Sequence, residues 1–208
     1  MSRRDKATLA LLGFFLVIAF TIELYYVVAH DHIVAEAGRN PLAWLLSLYG
    51  PSDRAYFDAP SPLTLTLEGF NIVVTQPIGL ALAYAIWRRR DWRWPLQLAV
   101  SAYVTYSVIL YFTIAHVSGM AGMTDHSVRS FAIFYGANLP WLAGYTWMMW
   151  DAVREIRQRL ARAPGSAPAI VERDRVAAVV EDLGEEATEV EPRRERGDHR
   201  ERAETLAP

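Results

Sequence analysis

Residues 7–29 read ATLALLGFFLVIAFTIELYYVVA, and the reading of this stretch decides the fold. It holds one charged residue, Glu23, in a run longer than the roughly 20 apolar residues a helix needs to cross a bilayer. It has no dyad alternation of the kind a barrel strand requires. Its length and its internal acid set it apart from the apolar core of a cleaved signal peptide, so it reads as a retained span. Working outward, residues 65–87, 96–118 and 128–150 have the same character. The expectation is an all-α integral membrane protein, a four-helix bundle built from residues 1–162.

The composition averages two unlike parts. Over all 208 residues, 52% are hydrophobic and the net charge is −2. Residues 163–208 hold seven Arg against twelve Asp or Glu and few apolar side chains. Such a segment buries too little to offset its chain entropy, so it is expected to be a disordered charged tail. The remainder is one domain's worth of chain. The charge gives no footprint for nucleic acid. The chain has no cysteine, which excludes disulfides, thiol catalysis, thiolate metal sites and palmitoyl anchors.

Orientation follows from Lys and Arg. Arg3, Arg4 and Lys6 precede the first span, Arg88, Arg89, Arg90 and Arg93 fill the second-to-third turn, and Arg154, Arg157, Arg159 and Arg162 follow the fourth. The opposite side holds only Arg39, Arg54 and Arg129. An even number of spans places every basic segment on one face, so both termini are expected in the cytoplasm. Trp87, Trp92, Trp94, Trp147 and Trp150 gather at that inner face. The outer loop is long, and residues 41–49 within it read as an amphipathic interfacial helix begun by Asn40 and Pro41.

Charge inside a membrane costs at least about 2.5–3.5 kcal/mol per residue and marks function by default. Glu23 and Glu68 lie at similar depth near the outer ends of the first two spans and can converge on one cavity. Asn71 and Thr75 follow Glu68 at spacings that share its helix face, and Gln76 and Pro77 come next. Gln97, Ser101 and Thr105 repeat every four residues on the third span, a row that reads as interhelical hydrogen bonding. His116 closes that span, either as a solvated cap or as a ligand contact. Asn138, Trp141 and Tyr145 follow helical spacing on the fourth, around Pro140. His30 and His32 flank Asp31 in a loop, too weak a pattern for a metal, and no Gly-rich phosphate loop is present. No metal or cofactor is expected. The implied site is apolar, aromatic and acidic, suited to a hydrophobic ligand that is cationic or becomes so.

These residues resemble the EXPERA superfamily, which contains the emopamil-binding protein, a sterol Δ8–Δ7 isomerase, and the sigma-two receptor. The resemblance runs over residues 12–156. Its carriers are Ile22-Glu23, the loop Tyr49-Gly-Pro-Ser-Asp-Arg-Ala-Tyr56, Leu67-Glu68 and Gln76-Pro77. They continue with Leu96-Gln-Leu-Ala-Val-Ser101, Leu110-Tyr-Phe112 with His116 beyond it, Asn138-Leu-Pro-Trp141 and Asp151-Ala-Val153. The resemblance implies a sterol cavity in which an acid protonates a double bond and a base removes a proton elsewhere on the cation. It implies that Glu23 and Glu68 match the two intramembrane acids, and Asn138 and Trp141 the polar–aromatic pair of the pocket. Three departures stand out: Ala19 replaces a His, and Val108 and Ala115 replace acidic residues.

The expected activity is therefore a membrane-embedded isomerase moving a carbon–carbon double bond in a sterol or other terpenoid, with Glu23 and Glu68 catalytic. Asn71, Thr75, His116, Asn138, Trp141 and Tyr145 would bind the ligand. The alternative is a sterol- or lipid-binding membrane protein without catalysis. A third reading is a docking protein whose tail recruits a partner. Membrane lipids are expected partners, nucleic acid is not, and a homodimer is left open.

Overall fold

The computed structural model describes residues 1–162, and the tail expected at 163–208 lies outside the described residues. Residues Met1–Arg159 form one compact unit, and a second begins at Leu160.

Helix α1 spans Arg3–Ala29. Ser2 and Asp5 start it with a reciprocal capping box that satisfies two otherwise orphaned backbone donors. A short helix α2, Ile33–Glu36, and then α3, Pro41–Tyr49, occupy the following loop. The Asn40 side chain caps the Leu42 N–H and Pro41 sits in the first turn, as the sequence predicts. A 3₁₀ turn at Arg54–Tyr56 is capped by Asp53. Helix α4 spans Pro62–Trp87, α5 spans Arg93–Val117, and α6 runs from Val128 to Arg162, continuous through Pro140. No strand occurs among the described residues.

The four long helices share one core. Leu12 and Phe15 of α1 pack with Leu82 and Ile86 of α4, Val100 and Val104 of α5, and Tyr145 and Met148 of α6. Phe15 stacks on Trp141 and Tyr145 at centroid separations of 4.2 and 4.8 Å. Gly144 permits that approach, since a Cβ there would come within 2.8 Å of Phe15 Cζ. At the end of the bundle where α1 begins, Arg4 pairs with Asp151 and Arg93 with Asp5, tying α1 to α6 and α5.

Helices α1, α4 and α5 are long and apolar enough to cross a membrane. Helix α6 is longer, but its aromatic residues, Asn138 and Pro140 lower its hydropathy. The loop helix α3 departs from the amphipathic expectation. It buries Ala43 and Leu46 while its other side exposes Trp44, Leu45 and Leu48, so it is apolar on both sides.

Candidate functional site

Helix α1 reaches Glu23 six residues before its end, and α4 reaches Glu68 six residues after its start. At 1.5 Å per residue both lie about 9 Å inside their helices. The backbone is unusual at this level. Ala19–Glu23 in α1 and Asn71–Thr75 in α4 are both π-helical and pack against each other. A π turn widens the helix and re-aims the side chains beyond it, and such turns recur at functional sites.

The two carboxyl groups converge, for Glu23 and Glu68 line the same two cavities. A carboxylate only accepts, so two neighbouring carboxyls can bond to each other only when one of them carries a proton. The Asn71 amide donates to Glu23 Oε2, and Asn71 Oδ1 accepts from Gln76 Nε2 at 3.2 Å. The Tyr56 hydroxyl donates to Glu68 Oε1 at 2.5 Å. Burial, reinforced by the Glu68 charge, holds the Tyr56 phenol well above its ordinary value, so it stays a donor. Asn138 Nδ2 donates to the Tyr49 hydroxyl at 3.1 Å and to the Phe134 carbonyl at 2.8 Å.

Two compartments meet at this pair. The larger, about 570 Å³, lies between α1, α3 and α6, with Phe14, Ile22, Leu45, Ile133 and Pro140 among its walls. Its volume falls within the range that takes one drug-sized molecule. Phe14, Leu45 and Leu48, all on its lining, are exposed on the surface. The smaller compartment, about 80 Å³, is lined by Asn71 and Thr75 of α4 and by Val104, Ser107, Val108 and Tyr111 of α5. Glu23, Tyr56, Glu68, Asn138 and Trp141 line both. The acid pair is thus the seam between an apolar chamber and a small, more polar one.

The residues singled out from sequence separate into two groups. Glu23, Glu68, Asn71, Thr75, Asn138 and Trp141 all line one or both compartments. His116 lines neither. Its ring bonds the Phe112 carbonyl at 2.6 Å and the Tyr135 hydroxyl at 2.8 Å on the exposed end of α5. Tyr145 lines neither as well, because its ring is spent on the stack with Phe15 and Trp141. Tyr49 and Tyr56 also line the larger compartment, and the sequence alone does not point to them. They bound the loop run Tyr49-Gly-Pro-Ser-Asp-Arg-Ala-Tyr56, where no periodicity indicates the direction of a side chain. Among the described residues no cluster of His, Asp or Glu is suited to a metal ion.

Among the described residues the chain is all-helical, with helices apolar enough to cross a membrane and a carboxyl pair beside an apolar chamber. Residues 41–152, more than half of the chain, match the sequence pattern of EXPERA, the expanded EBP superfamily. The protein belongs to that family. It is 29% identical over 101 residues to a probable 3-beta-hydroxysteroid-Delta(8),Delta(7)-isomerase of Arabidopsis thaliana, covering 49% of this chain and 44% of the relative. A probable isomerase of the same name from Oryza sativa subsp. japonica is 32% identical over 94 residues, 45% of this chain and 42% of the relative. An isomeliandiol synthase of Ailanthus altissima is 28% identical over 120 residues, 58% of this chain and 56% of the relative. The matched part spans about half the length of these curated relatives. The family match covers Glu68, Asn138 and Trp141, whereas Glu23 and the whole of α1 precede it.

Proposed function

We propose that the protein is a membrane-embedded isomerase that shifts a carbon–carbon double bond in a sterol or related terpenoid. The observation that carries this reading is the convergence of Glu23 and Glu68 on the wall of the 570 Å³ apolar chamber, with Trp141 also on its lining. The family relationship and the printed names of the relatives point the same way.

In this mechanism the proton-bearing carboxyl of the pair adds its proton to one alkene carbon, which leaves a tertiary carbocation. Trp141 and Tyr56 border the chamber, and their ring faces favour a cation. The other carboxyl, as carboxylate, removes a proton from a carbon adjacent to the cationic centre, and the double bond re-forms one position along. Glu68 is the base, because the Tyr56 hydroxyl supports its carboxylate, and Glu23 is the acid. The proton gained by Glu68 returns to the neighbouring Glu23, so the cycle closes with no net proton change.

The same reading makes α6 the fourth span, with both termini on the cytoplasmic side. The apolar outer side of α3 then meets lipid, and the exposed Phe14, Leu45 and Leu48 form the mouth through which a hydrophobic ligand enters from the bilayer.

A second reading, lipid binding without catalysis, draws on Ala19 and Val108. Ala19 is fully buried in the same π turn as Glu23, so no imidazole stands beside that carboxyl, and Val108 puts an apolar wall in the smaller compartment. Incubation of the purified protein with a panel of sterols and triterpenoids, followed by mass spectrometry and NMR of the products, separates the two. Isomerised product that disappears in Glu68→Gln supports the enzyme. Retention of an unaltered lipid by an inactive wild type supports the binding protein.

A further inference from the structure

The interior of the protein holds a file of polar atoms that the acid pair does not use. Among the described residues seven buried side-chain polar atoms have no protein hydrogen-bond partner. Four of them are Arg93 Nε, Gln97 Oε1, Ser101 Oγ and Thr105 Oγ1, one every fourth residue along one face of α5. A fifth is Thr75 Oγ1, and a sixth is Trp94 Nε1 beside Arg93. Gln97 and Ser101 are fully buried, Thr75 is 2% exposed, and Thr105 is 8% exposed. Interhelical hydrogen bonding, the role the spacing suggests for this row, is met only by Gln97, whose amide donates to the Met148 carbonyl at 2.9 Å. Buried hydroxyls are almost always satisfied, by protein or by ordered water.

The file has two defined ends. Thr75 precedes the end of α4 at Trp87 by as many residues as Thr105 follows the start of α5 at Arg93. Across a tight antiparallel turn, equal counts place the two threonines at one level. Thr75 lines the small compartment with Glu23 and Glu68, and so does Val104, the neighbour of Thr105. The other end is a polar pocket of about 490 Å³ lined by Arg4, Asp5, Arg89, Arg93, Trp94 and Asp151, among others. Gln97 Nε2 lies 3.5 Å from Asp151 Oδ2, and Asp151 accepts from the half-exposed Arg4. Midway, Gly79 stands level with Ser101, and a Cβ added to it would meet only Leu12 Cδ2, at 3.7 Å.

We propose that Thr75, Thr105, Ser101 and Gln97 bind a file of water that carries protons between the Glu23–Glu68 pair and the inner polar pocket at Asp151. The proton carried by the acid pair passes to the water at Thr75, and a proton leaves the file at the inner pocket. Reversal restores the pair, so the exchange is neutral. The file deepens the isomerase reading, for it lets the acid pair equilibrate with the aqueous phase on the side away from the lipid mouth. It also supplies a donor path where Ala19 offers none.

The test needs no substrate. The full chain, reconstituted in phospholipid bilayers, is transferred to deuterated water, and exchange of the carboxyl proton is followed as the downshift of its infrared C=O band. Glu68→Gln identifies the band. Ser101→Ala with Thr105→Val should slow that exchange at least tenfold, whereas Ser52→Ala, which removes the orphan hydroxyl of the outer loop, should leave it unchanged. Both inner replacements remove hydroxyls that bond no protein atom, so the fold should be retained. A second measurement is a high-resolution structure in lipid, which should show water on Ser101 Oγ and Thr105 Oγ1. Unchanged exchange in the double variant, a dry file, or the absence of any Glu68-dependent carboxyl band each overturns the proposal. Fast, Ser101-dependent exchange in a protein that isomerises nothing would keep the file and remove the enzyme reading. Turnover with slow, file-independent exchange would do the reverse.

Discussion

The Asn71 amide donates to the Glu23 carboxyl across two helices whose backbones both widen into a π turn at that level. The bond joins the helix that carries one acid to the helix that carries the other. It therefore helps hold both carboxyls in register.

Removing the donor should expose this dependence. Asn71→Leu leaves Glu23 Oε2 buried without its partner, a loss of about 1–3 kcal/mol. Thermal unfolding of the solubilised protein reads the loss. Combining Asn71→Leu with Glu23→Leu should recover most of it, since both ends of the bond are then apolar. An additive double variant would show that the two residues are not coupled.

Tyr56 should act on Glu68 rather than on the fold of the loop. Tyr56→Phe keeps the ring that packs on Tyr26 and Tyr49 and deletes the hydroxyl that donates to Glu68. For the proposed isomerase, turnover should fall ten- to a hundredfold, about 1.4–2.7 kcal/mol, with KM nearly unchanged. A change confined to KM would place Tyr56 in substrate binding instead.

Asp53 makes the loop between α3 and α4 sensitive to pH. Burial raises its carboxyl above the ordinary value, against opposing hydrogen bonds from the Tyr111 hydroxyl and the Ala55 N–H. A raised folded value means that the folded state holds the proton longer than the unfolded chain. Stability is then greatest below the unfolded value, about 4, and falls as pH rises through the folded one. Asp53→Asn removes the titration. The Tm of the variant relative to wild type should climb as pH rises across that window, and a pH-independent difference would contradict the assignment.

A hydrophobic amine mimics a carbocation and should bind beside the acid pair. The double variant Glu23→Gln, Glu68→Gln should lose at least tenfold in affinity for such an amine, about 1.4 kcal/mol, as measured by equilibrium binding in detergent. Each acid is desolvated at a cost that its neutral amide avoids, so the variant should remain folded. Unchanged affinity would remove the chamber as the ligand site.

Much of this architecture is legible in residue order. Long apolar runs have no stable alternative to helix in a bilayer, so α1, α4 and α5 were readable as spans. Asn40 and Pro41 marked the start of α3, because capping chemistry is local. Glu23 and Glu68 were conspicuous because charge is rare in such runs. Their contact, however, belongs to the tertiary structure. It depends on two π turns, which arise from packing between helices and have no signature in the spacing of apolar residues. For the same reason Tyr49 and Tyr56, in a loop without periodicity, came to the acids only through the fold, while Tyr145, on the expected face of α6, went to the stack with Phe15. Sequence determined which residues are too polar for lipid. Only the tertiary structure decided which of them meet, since a side chain's partner across helices is set by crossing geometry and local helix register rather than by position along the chain.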